Sequence, residues 1–246
     1  MKPLIEKNRF RTDVNFNWRG TDVSRLEGFS DAVFAFAITL LVVSLEVPSN
    51  YDELIRAMGG FISFAISFTM LIFLWYYHYL FFRRYNLQTY PVIILNAILL
   101  FVILFYIYPL KFLFNYLTDG IFGISALEES ISITKYQSSN IMLIYSSGLL
   151  IIFVVYTLMY IHAYLKRDLL KLNPMEILFT KVAYEAHMIY ASVAVLSIIL
   201  ALTLDQAAYA GIIYGLFGPA RGVHGISINK RFNKINKTKN NRSQDD

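Results

Sequence analysis

Asp31 stands two residues inside the apolar run 29-FSDAVFAFAITLLVVSLEV-47. An ionised group in a membrane span costs about 2.5–3.5 kcal/mol at the centre and less near the ends. Asp31 therefore needs a polar partner. Trp75 and His78, in 74-LWYYHYLFF-82, are three residues apart and share one face of a helix. Asn96 opens a later apolar run, and Ser30 adjoins Asp31. The spacing predicts that these groups share one layer, with His78 hydrogen-bonded to Asp31. The other polar candidates are poorer. Glu185 and His187 are two apart and point about 200° away from each other on a helix. His162 reads as interfacial, and His224 lies past the last apolar run. Neither H-E-x-x-H nor G-x-S-x-G occurs. Zero cysteines exclude disulfides, thiolate chemistry and Cys-ligated metals. No nucleophile and base can be assembled at one depth, so the sequence does not read as an enzyme.

These residues must be positioned by helices in a bilayer. The chain is 57% hydrophobic and only 16% charged, against roughly 25% charged in soluble domains. A span needs about 20 apolar residues. Six segments qualify: 27–47, 54–82, 91–117, 140–165, 175–204 and the short, Gly-rich 206–223. The expected fold class is all-α, a polytopic membrane protein with six transmembrane helices and both termini cytoplasmic. With that orientation 19 of the 22 Lys and Arg fall on the inner side, as the positive-inside rule requires. The basic charge thus reads as orientation in a cell (inner) membrane, not as nucleic-acid binding. Residues 1–25 hold no apolar core of a signal peptide. The expected organisation is a cytoplasmic segment 1–26, a membrane domain 27–225 and a basic cytoplasmic tail 226–246, disordered over 229–246. The outer connection 118–139 is expected to hold a short helix near 125–132.

The run Arg25-Leu26-Glu27-Gly28-Phe29-Ser30-Asp31, an R-x-x-x-F-S-D pattern ahead of an apolar helix, resembles the first-helix signature of the transmembrane-protein-175 potassium channels. The Trp75-x-x-His78 pair and Asn96 resemble that family too. The resemblance implies a potassium-selective channel, a homotetramer in the lipid bilayer, with no cofactor and no metal beyond potassium ions in transit. It implies that Arg25, Phe29, Ser30, Asp31, Trp75, His78 and Asn96 form a structural network that fixes the rotation of the first helix. It also implies that this helix lines a central pore. The constriction would fall at Phe36, a Thr39 hydroxyl layer would favour potassium, and Leu40 and Val43 would be further narrow positions. By spacing alone, Phe36, Thr39, Leu40 and Val43 form one stripe, which in an arbitrary helix is packing. Phe36 departs from the family, where Ile or Leu stands. No T-V-G-Y-G filter occurs, and 214-YGLFG-218 reads as close helix packing. Glu46, Asp52 and Glu53 would lie near the outer mouth. The alternative reading is a proton-coupled secondary transporter working through Asp31, His78 and Glu185.

Overall fold

The computed structural model describes residues 16–43, 48–122, 135–203 and 207–242. Among them every regular element is a helix: α1 (Arg25–Val43), α2 (Tyr51–Gly59), α3 (Phe61–Tyr85), α4 (Tyr90–Phe122), α5 (Lys135–Leu165), α6 (Pro174–Thr203), α7 (Ala207–Ile212) and α8 (Phe217–Arg242). One turn of 3-10 helix, Ile213–Leu216, joins α7 to α8. Five of the described helices are long and apolar enough to cross a membrane: α1, α3, α4, α5 and α6.

The helix ends follow local chemistry. Asn86 ends α3 in the left-handed conformation (φ 48°), with its N–H donating to the Phe82 carbonyl. Arg83 and Arg84 occupy the last turn, where cations suit the helix dipole. Pro91 sits in the first turn of α4, where its missing N–H costs nothing. Asn173 and Glu176 close a reciprocal capping box at the start of α6, each side chain accepting the other's backbone N–H at 2.9 Å.

The helices alternate in direction, so one end of the molecule gathers the start of α1, the end of α3, the start of α4, the end of α5 and the start of α6. Three contacts tie that end together: Arg83 donates to the Gly20 carbonyl at 3.1 Å, Thr89 meets His162 at 2.9 Å, and Tyr85 meets Thr180 at 2.8 Å. This is the basic end. α1 packs on α3 and α4, α4 on α5, and α5 on α6, which is the most extensive pairing. The α4–α5 contact is close enough that a Cβ on Gly148 would lie 2.3 Å from the Tyr106 ring. The Tyr106 hydroxyl donates to the Tyr145 carbonyl, and the Tyr145 hydroxyl returns to the Pro109 carbonyl.

Three expected elements differ. The second span is not continuous from 54 to 82. The chain breaks at Gly59-Gly60, which separates α2 from α3 because paired glycines hold a helix weakly. The sixth segment, 206–223, runs back along α6 in three pieces. Ala210 receives the Ser197 hydroxyl, Phe217 packs on Tyr190, and His224 meets Glu185. Gly211, Gly215 and Gly218 with Pro219 explain the interruptions. Beyond it, 229–242 continues helix α8 rather than forming the disordered tail expected from its polar composition. The helix expected near 125–132, and Glu46, lie outside the described residues.

Candidate functional site

Ser24 starts α1, its Oγ accepting the Glu27 N–H at 3.1 Å and its carbonyl the Gly28 N–H at 2.8 Å. One face of α1 is then inside the molecule: Glu27, Ser30, Phe34, Ala37 and Leu41 are buried. The polar members of that face are partnered. The Ser30 hydroxyl donates to the Leu26 carbonyl (2.8 Å) and accepts from Asn96 Nδ2 (2.8 Å). The Asn96 Oδ1 faces His78 Nε2 at 2.9 Å. This order fixes the tautomer. The Asn96 amide gives its N–H to Ser30, so its oxygen must accept, and His78 Nε2 carries the proton. All three side chains are fully or almost fully buried, and His78 lies against Phe34 and Phe82. A buried polar group without a partner costs about 1–3 kcal/mol, so the chain of bonds specifies one rotation of α1 against α3 and α4.

Asp31 belongs to a separate contact. Its Oδ1 accepts the Trp75 indole N–H at 2.8 Å, and the indole stacks on Tyr79. The expected Asp31–His78 hydrogen bond does not form. Three residues along α3 turn His78 toward α4, while Trp75 meets the half-buried side of α1. Arg25 and Phe29 are exposed and take no part in either contact. Glu27, which spacing did not single out, is the buried acid of this helix and pairs with Arg83 at 3.4 Å. The signal was legible: Ser24-x-x-Glu27 is a helix-start pattern, and Arg83 ends the neighbouring span.

The opposite face of α1 carries Phe29, Ala32, Phe36, Thr39 and Val43, all exposed, at alternating spacings of three and four residues. Phe36 is 56% and Val43 71% exposed, whereas Leu40 is half-buried at the edge of the stripe and packs partly on the core. The Thr39 hydroxyl donates to the Ala35 carbonyl at 2.9 Å. Its proton is thereby directed into the helix, and its oxygen lone pairs are left facing outward.

The remaining polar candidates are structural. His162 bonds Thr89, and His187 donates from Nδ1 to the Ala183 carbonyl at 2.7 Å inside a nest of Tyr77, Tyr156 and Tyr160. Glu185 is held by Arg231 and His224. Glu53 closes the start of α2 through Asn50 and Ser49, which leaves Asp52 as the exposed acid there. Among the described residues no group of His, Asp or Glu could hold a metal ion.

The described bundle thus has five helices long and apolar enough to cross a membrane, the first of them held on one face by polar contacts and exposed on the other. Residues 25–106 match the family described as endosomal/lysosomal potassium channel TMEM175. A potassium channel of Marivirga tractuosa is 41% identical over 233 residues, covering 90% of this chain and 94% of that protein. A potassium channel of Chamaesiphon minutus is 30% identical over 105 residues, covering 39% of this chain and 52% of that protein. A crystal structure of a threonine-to-alanine variant of the potassium channel MtTMEM175, in complex with a nanobody–MBP fusion, superposes with a TM-score of 0.79 at 41% identity. It covers 88% of this chain and 98% of that one. The chain belongs to the TMEM175 potassium channel family, which is a family of membrane channels and not of enzymes.

Proposed function

We propose that this chain is one subunit of a homotetrameric potassium-selective channel whose central pore is lined by α1. The observation that carries this reading is the division of α1 into two faces. The face bearing Ser30, Phe34, Ala37 and Leu41 is fully engaged within the subunit. The face bearing Phe36, Thr39 and Val43 is left exposed among the described residues. A helix so oriented presents that stripe to identical copies around an axis. Four Phe36 rings form an apolar constriction that gates by excluding water. Four Thr39 oxygens, whose hydroxyl protons are directed at the Ala35 carbonyls, offer lone pairs to a partly dehydrated cation. Leu40 supports the constriction from the edge, and Val43 narrows the path beyond it. The basic end faces the cytoplasm and the protein resides in the cell (inner) membrane. The segment 1–26 and the tail beyond 225 flank the membrane domain on that side.

The test is potassium flux through purified protein in liposomes, with sodium as comparison and with the transmembrane proton gradient collapsed. Passive potassium flux that persists without a proton gradient is expected. Flux that saturates and requires the proton gradient would overturn the channel reading in favour of a coupled transporter.

A further inference from the structure

The chain ahead of α1 is a strap clamped to two other elements. Phe16 is buried, lies edge-on to Tyr85, and is covered by the Arg84 guanidinium at 5.2 Å. The Arg19 and Gly20 N–H groups both donate to the Arg83 carbonyl at 3.1 Å. Arg19 reaches the corner between α5 and α6. It donates to the Leu170 carbonyl at 2.8 Å, to the Lys171 carbonyl at 3.2 Å and to both Glu176 oxygens at 3.2 and 3.0 Å. Glu176 is completely buried, accepts the Asn17 N–H at 2.7 Å, and is also the capping-box acid of α6. On the other side Arg83 donates to the Gly20 and Thr21 carbonyls and pairs with Glu27 inside α1. The charges alternate, Glu176–Arg19 and then Arg83–Glu27, and run from α6 through the strap and α3 into the first turn of α1.

We propose that this brace is a positioning device for the pore helix. Arg19, Glu176, Arg83 and Glu27 hold the basic end of α1 in the arrangement that presents Phe36 to the axis. None of the four touches the permeating ion. The proposal rests on the pore reading above. Both carboxylates are buried, so the brace is not a loose surface ion pair of negligible worth. It lies three residues and more from the Ser30–Asn96–His78 chain, which sets rotation. The brace sets where the helix end stands. Releasing it lets the end of α1 move away from the axis and widens the constriction.

Gly20 allows the strap to be displaced without changing a charge. A Cβ there would sit 2.8 Å from the Phe82 carbonyl oxygen and 3.3 Å from the Arg83 Cα. The test therefore compares Glu176→Gln, Gly20→Ala and the conservative Arg19→Lys, as full-length protein in liposomes, with wild type and Phe36→Ala alongside. Size-exclusion chromatography gives the assembled fraction and sodium reversal potentials give selectivity. Glu176→Gln and Gly20→Ala are each expected to raise passive potassium flux per assembled channel about fivefold, a typical coupling between distant sites, with the potassium-to-sodium preference unchanged. Arg19→Lys keeps the charge but loses the planar fork, and its flux should rise less. Wild-type or lower flux from either assembled variant overturns the brace. Should neither of the two assemble, Arg19→Lys decides, and wild-type flux from it overturns the proposal equally. Flux that rises in Phe36→Ala but not in the brace variants removes the brace and leaves the pore reading standing. Unaltered flux in Phe36→Ala removes the pore reading itself.

Discussion

The two faces of α1 make opposite use of the same apolar composition. On the inward face, apolar residues alternate with Glu27 and Ser30, and the polar groups are paired with Arg83 and Asn96. On the outward face, the one polar side chain of the membrane-embedded stripe, Thr39, bonds only its own helix, and Phe36 and Val43 remain exposed. The inward face is the more polar of the two, although it is the buried one. What separates them is that the inward face has partners with matching donors and acceptors at fixed depth. Among the described residues the outward face is left exposed. A face that packs tolerates little change in shape or polarity, whereas a face that lines a conduit is read through conduction. The two should therefore fail in different ways when altered.

The largest effect is expected on the inward face. Asn96→Ala strands the His78 Nε2–H in the core, at about 1–3 kcal/mol for an unsatisfied group, while Ser30 keeps its bond to the Leu26 carbonyl. The assembled fraction and the unfolding temperature in detergent should both fall, by an amount corresponding to about 2 kcal/mol. A wild-type melting curve would remove the hydrogen-bonded chain as the lock on α1. On the outward face, Phe36→Ala should leave that curve nearly unchanged. Potassium flux should rise about tenfold, equivalent to a barrier lower by about 1.4 kcal/mol. Loss of assembly without a rise in flux would place Phe36 in packing instead.

Trp75→Phe is a milder break of the inward face. It removes one hydrogen bond to the half-buried Asp31 while keeping the ring on Tyr79, and should cost about 1 kcal/mol of stability with conduction intact. A change in ionic selectivity in that variant would show that Asp31 faces the ion path. The smallest expected effect is Thr39→Ala. It should lower the potassium-to-sodium preference about threefold, the worth of a modest polar contact, and leave flux and stability in place. An unchanged sodium reversal potential would leave the outward face without a selectivity role.

Much of this was legible before the structure. The five long helices α1, α3, α4, α5 and α6 follow from uninterrupted apolar length, which a bilayer enforces more strictly than any propensity. The shared depth of Ser30, Trp75, His78 and Asn96 follows from counting residues along antiparallel spans. The pairing among them was not legible. Trp75 and His78 are three residues apart and lie at the same depth, and only the crossing of α1, α3 and α4 decides which meets Asp31 and which meets Asn96. The strap escaped notice because Phe16, Arg19 and Gly20 lie in a polar stretch without periodicity, and their partners are more than sixty residues away or more than one hundred and fifty. The helical course of 226–242 escaped notice for a related reason. Its composition is that of a solvated segment, and it is held by the Glu185 contacts of His224 and Arg231.

The sequence by itself determined that the chain crosses a membrane as helices, which end of each helix carries the positive charge, and that Asp31 stands in the opening turns of the first span. Burial energy and the need to satisfy every backbone group in lipid are properties of composition and length, so they can be read in one dimension. The tertiary structure alone decided the partners: His78 with Asn96, Trp75 with Asp31, Arg83 with Glu27, and Arg19 with Glu176. Hydrogen bonds and ion pairs act over about 3 Å and depend on direction, so they are set by how helices cross and rotate, and no spacing along a single chain encodes that.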